Sequence, residues 1–230
     1  WMGRYIEIVG EKSSESIADT LINGIFGRVT GDAGSRFVIA IGQAIFLVLF
    51  LILYGDCIAA RQRIGAVYFF SRISNRKKWI LKEFVWLLFY SVLYTFCFVG
   101  MHMIFSIWGS SEANLSGTLF KVAFQIGLFL TLLLFEMAVL CNLFCAAGGS
   151  AIGILLSMLC VIGLIMWSTA EVDGVVSEMI NPMWLSADII ENGGSYIQKI
   201  IIVFLQTAIC AVGTGYYLAK RDLFAREGEG

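Results

Sequence analysis

The sequence predicts an all-α, polytopic membrane protein, and its composition and the length of its apolar segments predict this fold class. Hydrophobic residues make up 59% of the 230 residues and charged residues 14%, whereas soluble domains average about 45–50% and about 25%. The mean hydropathy of +0.83 agrees with a membrane protein. Lipid offers no partner for backbone N–H and C=O groups, so only helices and closed barrels span it. Because the strand-like alternation typical of a barrel does not occur, the apolar segments are predicted to be helices.

Five segments are long enough to cross a bilayer, which needs about 20 apolar residues per helix. Transmembrane helices are predicted at 37–58, 79–108, 117–146, 150–170 and 199–219. The chain opens on Trp1-Met2 rather than on a start methionine. A first helix is therefore expected to be missing or trimmed, which would give six helices in the parent protein.

The distribution of Lys and Arg predicts the topology, since cytoplasmic loops carry an excess of both. Arg61–Glu83 holds seven of the sixteen Lys and Arg residues and a single acid. The loop 59–78 is therefore predicted to be cytoplasmic, together with the tail 220–230. Residues 1–36 and the acid-rich segment Glu171–Lys199 are then external.

Two shorter elements are predicted outside the spans. Ile64–Phe70 is an aromatic run too short to cross the membrane, and it is expected to form a short amphipathic helix in the basic loop. Anchoring to anionic lipid explains the charges around it but not the aromatic residues themselves.

On the external side, Asn181, Pro182 and Trp184 predict a pair of short helices at the membrane surface. Pro182 would separate them, and Trp184 would lie at headgroup level.

Glu136 lies inside an apolar span, where a carboxylate costs roughly 2.5 kcal/mol or more. Two interpretations carry equal weight. Glu136 could be a proton or cation site, or line a substrate path. Alternatively, it is a protonated or paired carboxyl that ties two helices together, with Asn142 or Gln125 of the same helix as its partner.

The remaining intramembrane polar candidates favour structural interpretations. His102 is the only histidine, and a lone histidine without a second ligand is more often a packed or interfacial group than a metal ligand. Asp56 is expected to face the headgroups or to pair with Arg61 or Arg63. Cys141 and Cys145 share one helix face and are interpreted as small packing residues rather than metal ligands.

No enzyme motif accompanies these residues. The sequence contains no HExxH, no GxSxG and no GxxxxGK[ST] phosphate loop. We therefore expect that this chain is not an enzyme and holds no cofactor or metal. We expect no nucleic acid among its partners.

Three sequence elements together resemble a known family. They are SRISNRKKWILKEF after the first apolar span, NPMW before the last span and YYLAKRDLF at its end. In this arrangement the chain resembles small ABC-2-type permease subunits, and in particular the lantibiotic- and bacteriocin-associated exporters and immunity transporters of Gram-positive bacteria. The resemblance covers nearly the whole chain as architecture, although five clear spans are present where the family has six.

The resemblance implies a subunit of the bacterial plasma membrane that forms half of an ATP-driven transporter. A coupling helix in the first cytoplasmic loop would dock on two separate cytosolic ATPase subunits, which bind ATP and Mg²⁺. A second permease copy or homologue, the lipid bilayer and a peptide or lipid-like substrate complete the implied partners. The implied external helices are re-entrant. The implied coupling residues are Ile64, Val67, Tyr68, Phe69, Phe70, Arg72, Arg76, Lys77 and Lys78.

Two other functions stay open at the level of the sequence. An ion-coupled secondary transporter would use Glu136, and Asp56 as a further group. A non-transporting immunity or scaffold protein would bind its partner within the membrane. An activity that follows an ion gradient without an ATPase would distinguish the first of these from the ABC-2-type permease.

Overall fold

A computed structural model of the protein describes Leu21, Ile25, Asn181 and residues 33–65, 76–109, 117–169 and 193–220. In these ranges the regular elements are all α-helices, so the predicted all-α class is confirmed. We number them α1 (Ala33–Tyr54), α2 (Cys57–Gly65), α3 (Arg76–Gly109), α4 (Gly117–Gly148), α5 (Ser150–Thr169) and α6 (Gly193–Lys220).

Five helical segments in these ranges are long and apolar enough to span a membrane, as predicted. They are Ala44–Arg63, Arg76–Trp108, Leu119–Gly148, Ser150–Trp167 and Gly194–Lys220. The first combines the end of α1 with α2, because the chain turns at Gly55 and Asp56 and then continues as helix. The expected first helix of a six-helix subunit stays a prediction.

The long helix α4 forms the centre of the bundle and packs against each of the other five helices. In the membrane-spanning part of α4, 67% of the residues are buried, against 22% in α3, α5 and α6. Helix α1 packs against α5, and α6 packs against α3. Leu21 and Ile25, both helical, are buried in the same apolar core.

A one-residue turn connects α4 to α5 and brings the two helices into close contact. Gly149 has φ of 93°, a left-handed conformation that glycine adopts without steric cost. Gly153 then lies directly against α4, since a Cβ atom there would be 2.3 Å from the backbone nitrogen of Cys145. Small residues at such a contact let two membrane helices approach closely.

Aromatic rings join α1 to α3. The ring centroids of Phe46 and Phe98 are 4.1 Å apart, and those of Tyr54 and Tyr90 are 4.9 Å apart. The Tyr94 hydroxyl also donates a hydrogen bond of 3.1 Å to the Phe46 carbonyl. Part of the aromatic content of the second span is thus explained by helix packing.

Most of the described charged residues lie where α1, α4 and α6 end and where α3 and α5 begin, and we call this the basic end of the bundle. Its exposed cations are Arg61, Arg63, Lys77, Lys78, Lys82 and Lys220.

Between the two ends, large apolar side chains of α3, α5 and α6 are exposed on the outer surface, for example Phe96, Leu159 and Ile209. Such a surface suits a lipid environment.

Candidate functional site at the basic end

The start of α2 is held by a side chain from another helix. The Oδ1 atom of Asn142, on α4, accepts hydrogen bonds from the backbone N–H groups of Ile58 (2.9 Å) and Ala59 (3.1 Å). Its Nδ2 group donates to the carbonyl of Ala138, one turn earlier on α4, at 2.8 Å. Asn142 is fully buried. It therefore fills the capping role that the residue preceding a helix usually has, and it fixes α2 to the central helix.

Asp56 precedes α2 and is engaged elsewhere. The hydroxyl of Ser150, at the start of α5, donates a hydrogen bond of 2.6 Å to its Oδ2 atom. Arg63 lies 3.7 Å from the same oxygen and also donates to the Ser150 hydroxyl. Asp56 was expected to face the headgroups or to pair with Arg61 or Arg63, and in the structure it pairs with Arg63. These contacts connect both ends of α2 to the first residue of α5.

Arg61 does not pair with Asp56 but joins α2 to α3. Its Nη1 atom is 2.6 Å from Oε2 of Glu83, and the Glu83 side chain is only 8% exposed. A hydrogen bond to a charged group that is largely withdrawn from water contributes more than an exposed ion pair. Through these three contacts, α2 is attached to α3, α4 and α5.

Arg61→Gln is expected to lower the free energy of unfolding by about 1 kcal/mol, because the buried Glu83 carboxylate loses its cationic partner. The loss is modest because the Arg61 side chain is half exposed to solvent. Thermal unfolding of the purified protein in mild detergent measures the effect. Lys77→Gln is the matched control, since Lys77 is an exposed cation in the first turn of α3. Equal unfolding midpoints for the two variants would contradict the assigned role of the Arg61–Glu83 pair.

The structure describes part of the predicted coupling segment. Ile64 lies in the last turn of α2, and Arg76, Lys77 and Lys78 form the first turn of α3. The other five predicted coupling residues fall between α2 and α3, outside the residues that the structure describes. They are Val67, Tyr68, Phe69, Phe70 and Arg72. The backbone on both sides of this interval is thus helical and lies at the basic end.

Glu136 lies deeper in the bundle, six residues before Asn142 on α4 and so roughly 9 Å from it along the helix axis. It is 5% exposed. Its partners are on α6: Oε2 is 3.3 Å from the Thr207 hydroxyl, and Oε1 is 3.8 Å from the Cys210 sulfur. The expected pairing with Asn142 or Gln125 is wrong, because a carboxyl at this position faces the neighbouring helix rather than its own.

At the opposite end, Asn181 bridges two helices. Its Nδ2 group donates to the carbonyl of Leu164 on α5 at 3.0 Å, and its own carbonyl accepts from Lys199 Nζ of α6 at 2.5 Å. Asn181 and Lys199 are both buried. Pro182 and Trp184, which the sequence places in the same external element, lie outside the described residues.

The other polar candidates are placed in packed surroundings. His102 is 6% exposed and meets the Phe98 ring edge-on at 4.6 Å. The sulfurs of Cys141 and Cys145 are 3.9 Å apart where α4 meets Gly55 and Gly153. Within the described ranges, His, Cys, Asp and Glu residues form no group of three that could hold a metal ion. These positions support the packing interpretation of the two thiols.

Sequence reasoning did not single out Asn142, Ser150 or Glu83 as site residues. The position of Asn142 within an apolar span did indicate a buried hydrogen-bonding role, since an amide there needs hydrogen-bond partners. Its partners on α2 are about 84 positions away in the sequence, so only the packing of α2 against α4 reveals them. Ser150 and Glu83 are ordinary residues at span ends and carry no comparable signal.

No protein-family model, no curated protein and no solved structure matches the chain.

Proposed function

We propose that this protein is the membrane-spanning subunit of an ATP-driven transporter of the ABC-2 type. Its basic end faces the cytoplasm, and the loop between α2 and α3 docks on a separate ATPase. The transported substrate would be an amphipathic peptide or a lipid-like molecule. A second permease subunit would complete the path.

One observation carries the proposal: α2, from which the loop leaves, is attached to three membrane helices by directed polar contacts. Asn142 binds its first turn to α4, Ser150 and Asp56 bind it to α5, and Glu83 binds it to α3. A loop that only connects two spans needs no such attachment. A loop that receives force from a partner does, because the force has to reach the helices that surround the substrate path.

We propose that the aromatic run that follows α2 forms the surface that binds a protein partner. Tyr, Phe and Arg are enriched at the centres of protein interfaces, and Tyr68, Phe69, Phe70 and Arg72 follow one another closely in this segment. Exposed lysines at the start of α3 would surround that surface with positive charge and favour an acidic partner face.

Glu136 supports an ion-coupled transporter less well. A coupling-ion site needs several converging oxygen ligands or access to water. In the described part of the chain, the Glu136 carboxyl is buried, and its contacts are one hydroxyl and one thiol of α6. This arrangement suits a contact between helices.

The proposal is tested by affinity purification of the protein in mild detergent from a strain that expresses its neighbouring genes. We expect a P-loop ATPase to co-purify in stoichiometric amount and to be lost when Tyr68, Phe69 and Phe70 are replaced by Ala. Phe120→Ala, at an exposed position near the opposite end of α4, is the matched control and should retain the ATPase. Purification without any ATPase, under conditions that preserve complexes, would contradict the proposal.

A further inference from the structure

Glu136 on α4 contacts Thr207 and Cys210 on α6 through side-chain polar atoms within the spans, and these three residues form a cluster. Each atom of the cluster can be assigned a hydrogen-bond role by counting the available hydrogens. A hydroxyl group has one hydrogen to donate, and an ionised carboxylate can only accept. The positions of the oxygens therefore limit which protonation state of Glu136 leaves every group with a partner.

The single hydrogen of Thr207 is already used by its own helix. The Thr207 hydroxyl is 2.8 Å from the carbonyl of Val203, one turn earlier on α6, and 3.3 Å from Oε2 of Glu136. Donation to Val203 has the shorter distance, and it is the usual bond of a threonine inside a helix. The lone pairs of the Thr207 oxygen then remain to face Glu136.

If Glu136 were ionised, Oε2 would face these lone pairs, and the weak S–H donor of Cys210 would be its remaining partner at 3.8 Å. A buried carboxylate with so little compensation is costly, particularly within a membrane. If Glu136 carries a proton on Oε2, it donates to Thr207, Thr207 donates to Val203, and Cys210 donates to Oε1. Every polar group of the cluster then has a partner.

The charged groups of the helices around α4 do not change this assignment of hydrogen-bond donors and acceptors. The ion pairs of Arg61 with Glu83 and of Arg63 with Asp56 lie at the basic end, away from Glu136. On α6, the titratable group in contact with Glu136 is the Cys210 thiol.

We infer that Glu136 is a protonated carboxyl group that acts as a hydrogen-bond donor and binds α4 to α6. It is a fixed connection between the two helices rather than an ion-binding site. Asn142 on the same helix connects α4 to α2. Helix α4 is therefore attached to the base of the basic loop and, more deeply, to α6, so that a displacement of α4 would carry α6 with it.

Infrared spectroscopy of the wild-type protein at neutral pH tests the protonation. We expect a carbonyl stretching band of a protonated carboxylic acid that shifts in D₂O and disappears in Glu136→Gln, while the other carboxyl bands stay unchanged. Absence of such a band in the wild-type protein would overturn the inference. The presence of the band is measured on the wild-type protein alone, and Glu136→Gln serves to assign it.

Thermal unfolding in detergent tests the connection between the helices. Thr207→Val removes the acceptor of the Glu136 proton and should lower the unfolding midpoint by a few degrees, whereas Glu136→Gln keeps a donor and should stay close to wild type. Thr214→Val is the matched control, because the Thr214 hydroxyl is buried on the same helix and has no hydrogen-bond partner in the described structure. Equal midpoints for Thr207→Val and Thr214→Val would overturn the assignment of Thr207 as the partner of Glu136.

Discussion

Replacing Asn142 with Leu is expected to release the first turn of α2 from α4 and to destabilise the protein by about 2 kcal/mol. The substitution leaves the buried N–H groups of Ile58 and Ala59 without an acceptor, and an unsatisfied buried donor costs roughly 1–3 kcal/mol. Leucine is similar in size, so the effect is not that of a cavity. Amide hydrogen exchange of α2, followed by mass spectrometry, should show loss of protection at these two positions.

The conservative variant Asn142→Asp provides the control. Its side chain retains an oxygen that faces the two N–H groups, and negative charge near the first turn of a helix is favourable. We expect Asn142→Asp to keep most of the protection that Asn142→Leu loses. If α2 exchanges equally fast in the wild-type protein and in Asn142→Leu, Asn142 does not hold α2 in place.

In the proposed transporter, Asn142→Leu should also separate ATPase binding from transport. The loop that follows α2 would keep its aromatic residues and would still bind the ATPase. The connection from α2 to the central helix would be lost, however, and less of the displacement at the loop would reach α4. We expect the ATPase to co-purify with this variant while transport declines.

Gly153→Val is expected to have the largest effect on stability, a loss of roughly 3 kcal/mol, because overpacking at a site that cannot relax is strongly destabilising. A Cβ at this position would lie 2.3 Å from the backbone nitrogen and 2.4 Å from the Cα of Cys145. Backbone atoms cannot move aside as the end of a side chain can, so α5 would have to shift away from α4. The yield of monodisperse protein and its unfolding midpoint in detergent measure the result.

Gly163→Val is the matched control for this substitution. Gly163 lies on the same helix at an exposed position, and a Cβ there would meet nothing within 4 Å. A wild-type midpoint is expected for Gly163→Val and a markedly lower one for Gly153→Val. If both variants unfold at the wild-type temperature, the close approach of α5 to α4 is not present in solution.

The outline of the fold could be predicted from the sequence, because hydrophobicity and segment length are local properties. The five spans follow from runs of apolar residues, and the predicted spans 117–146 and 150–170 leave room only for a short turn between α4 and α5. The division of the first span at Gly55 and Asp56 was not predicted. An uninterrupted apolar run followed by basic residues does not show that the chain turns and continues as the separate helix α2.

The contacts of the site could be predicted only in part, since they depend on which helices are neighbours. The Asp56–Arg63 pair is local in the sequence and was anticipated. The partners of Glu136 were not, because Thr207 is on α6 and 71 positions away. Asn142 was considered a partner for Glu136, whereas the packing of α2 against α4 gives it a different role.

Site-specific photo-cross-linking in intact cells tests whether the basic end binds an ATPase. A photoreactive amino acid would replace Lys77, exposed at the basic end, or Lys121, exposed near the opposite end of α4. The proposal predicts that position 77 forms an adduct with a cytosolic P-loop ATPase, identified by mass spectrometry, and that position 121 does not. Cross-links to lipid alone at position 77, or an ATPase adduct at position 121, would contradict it.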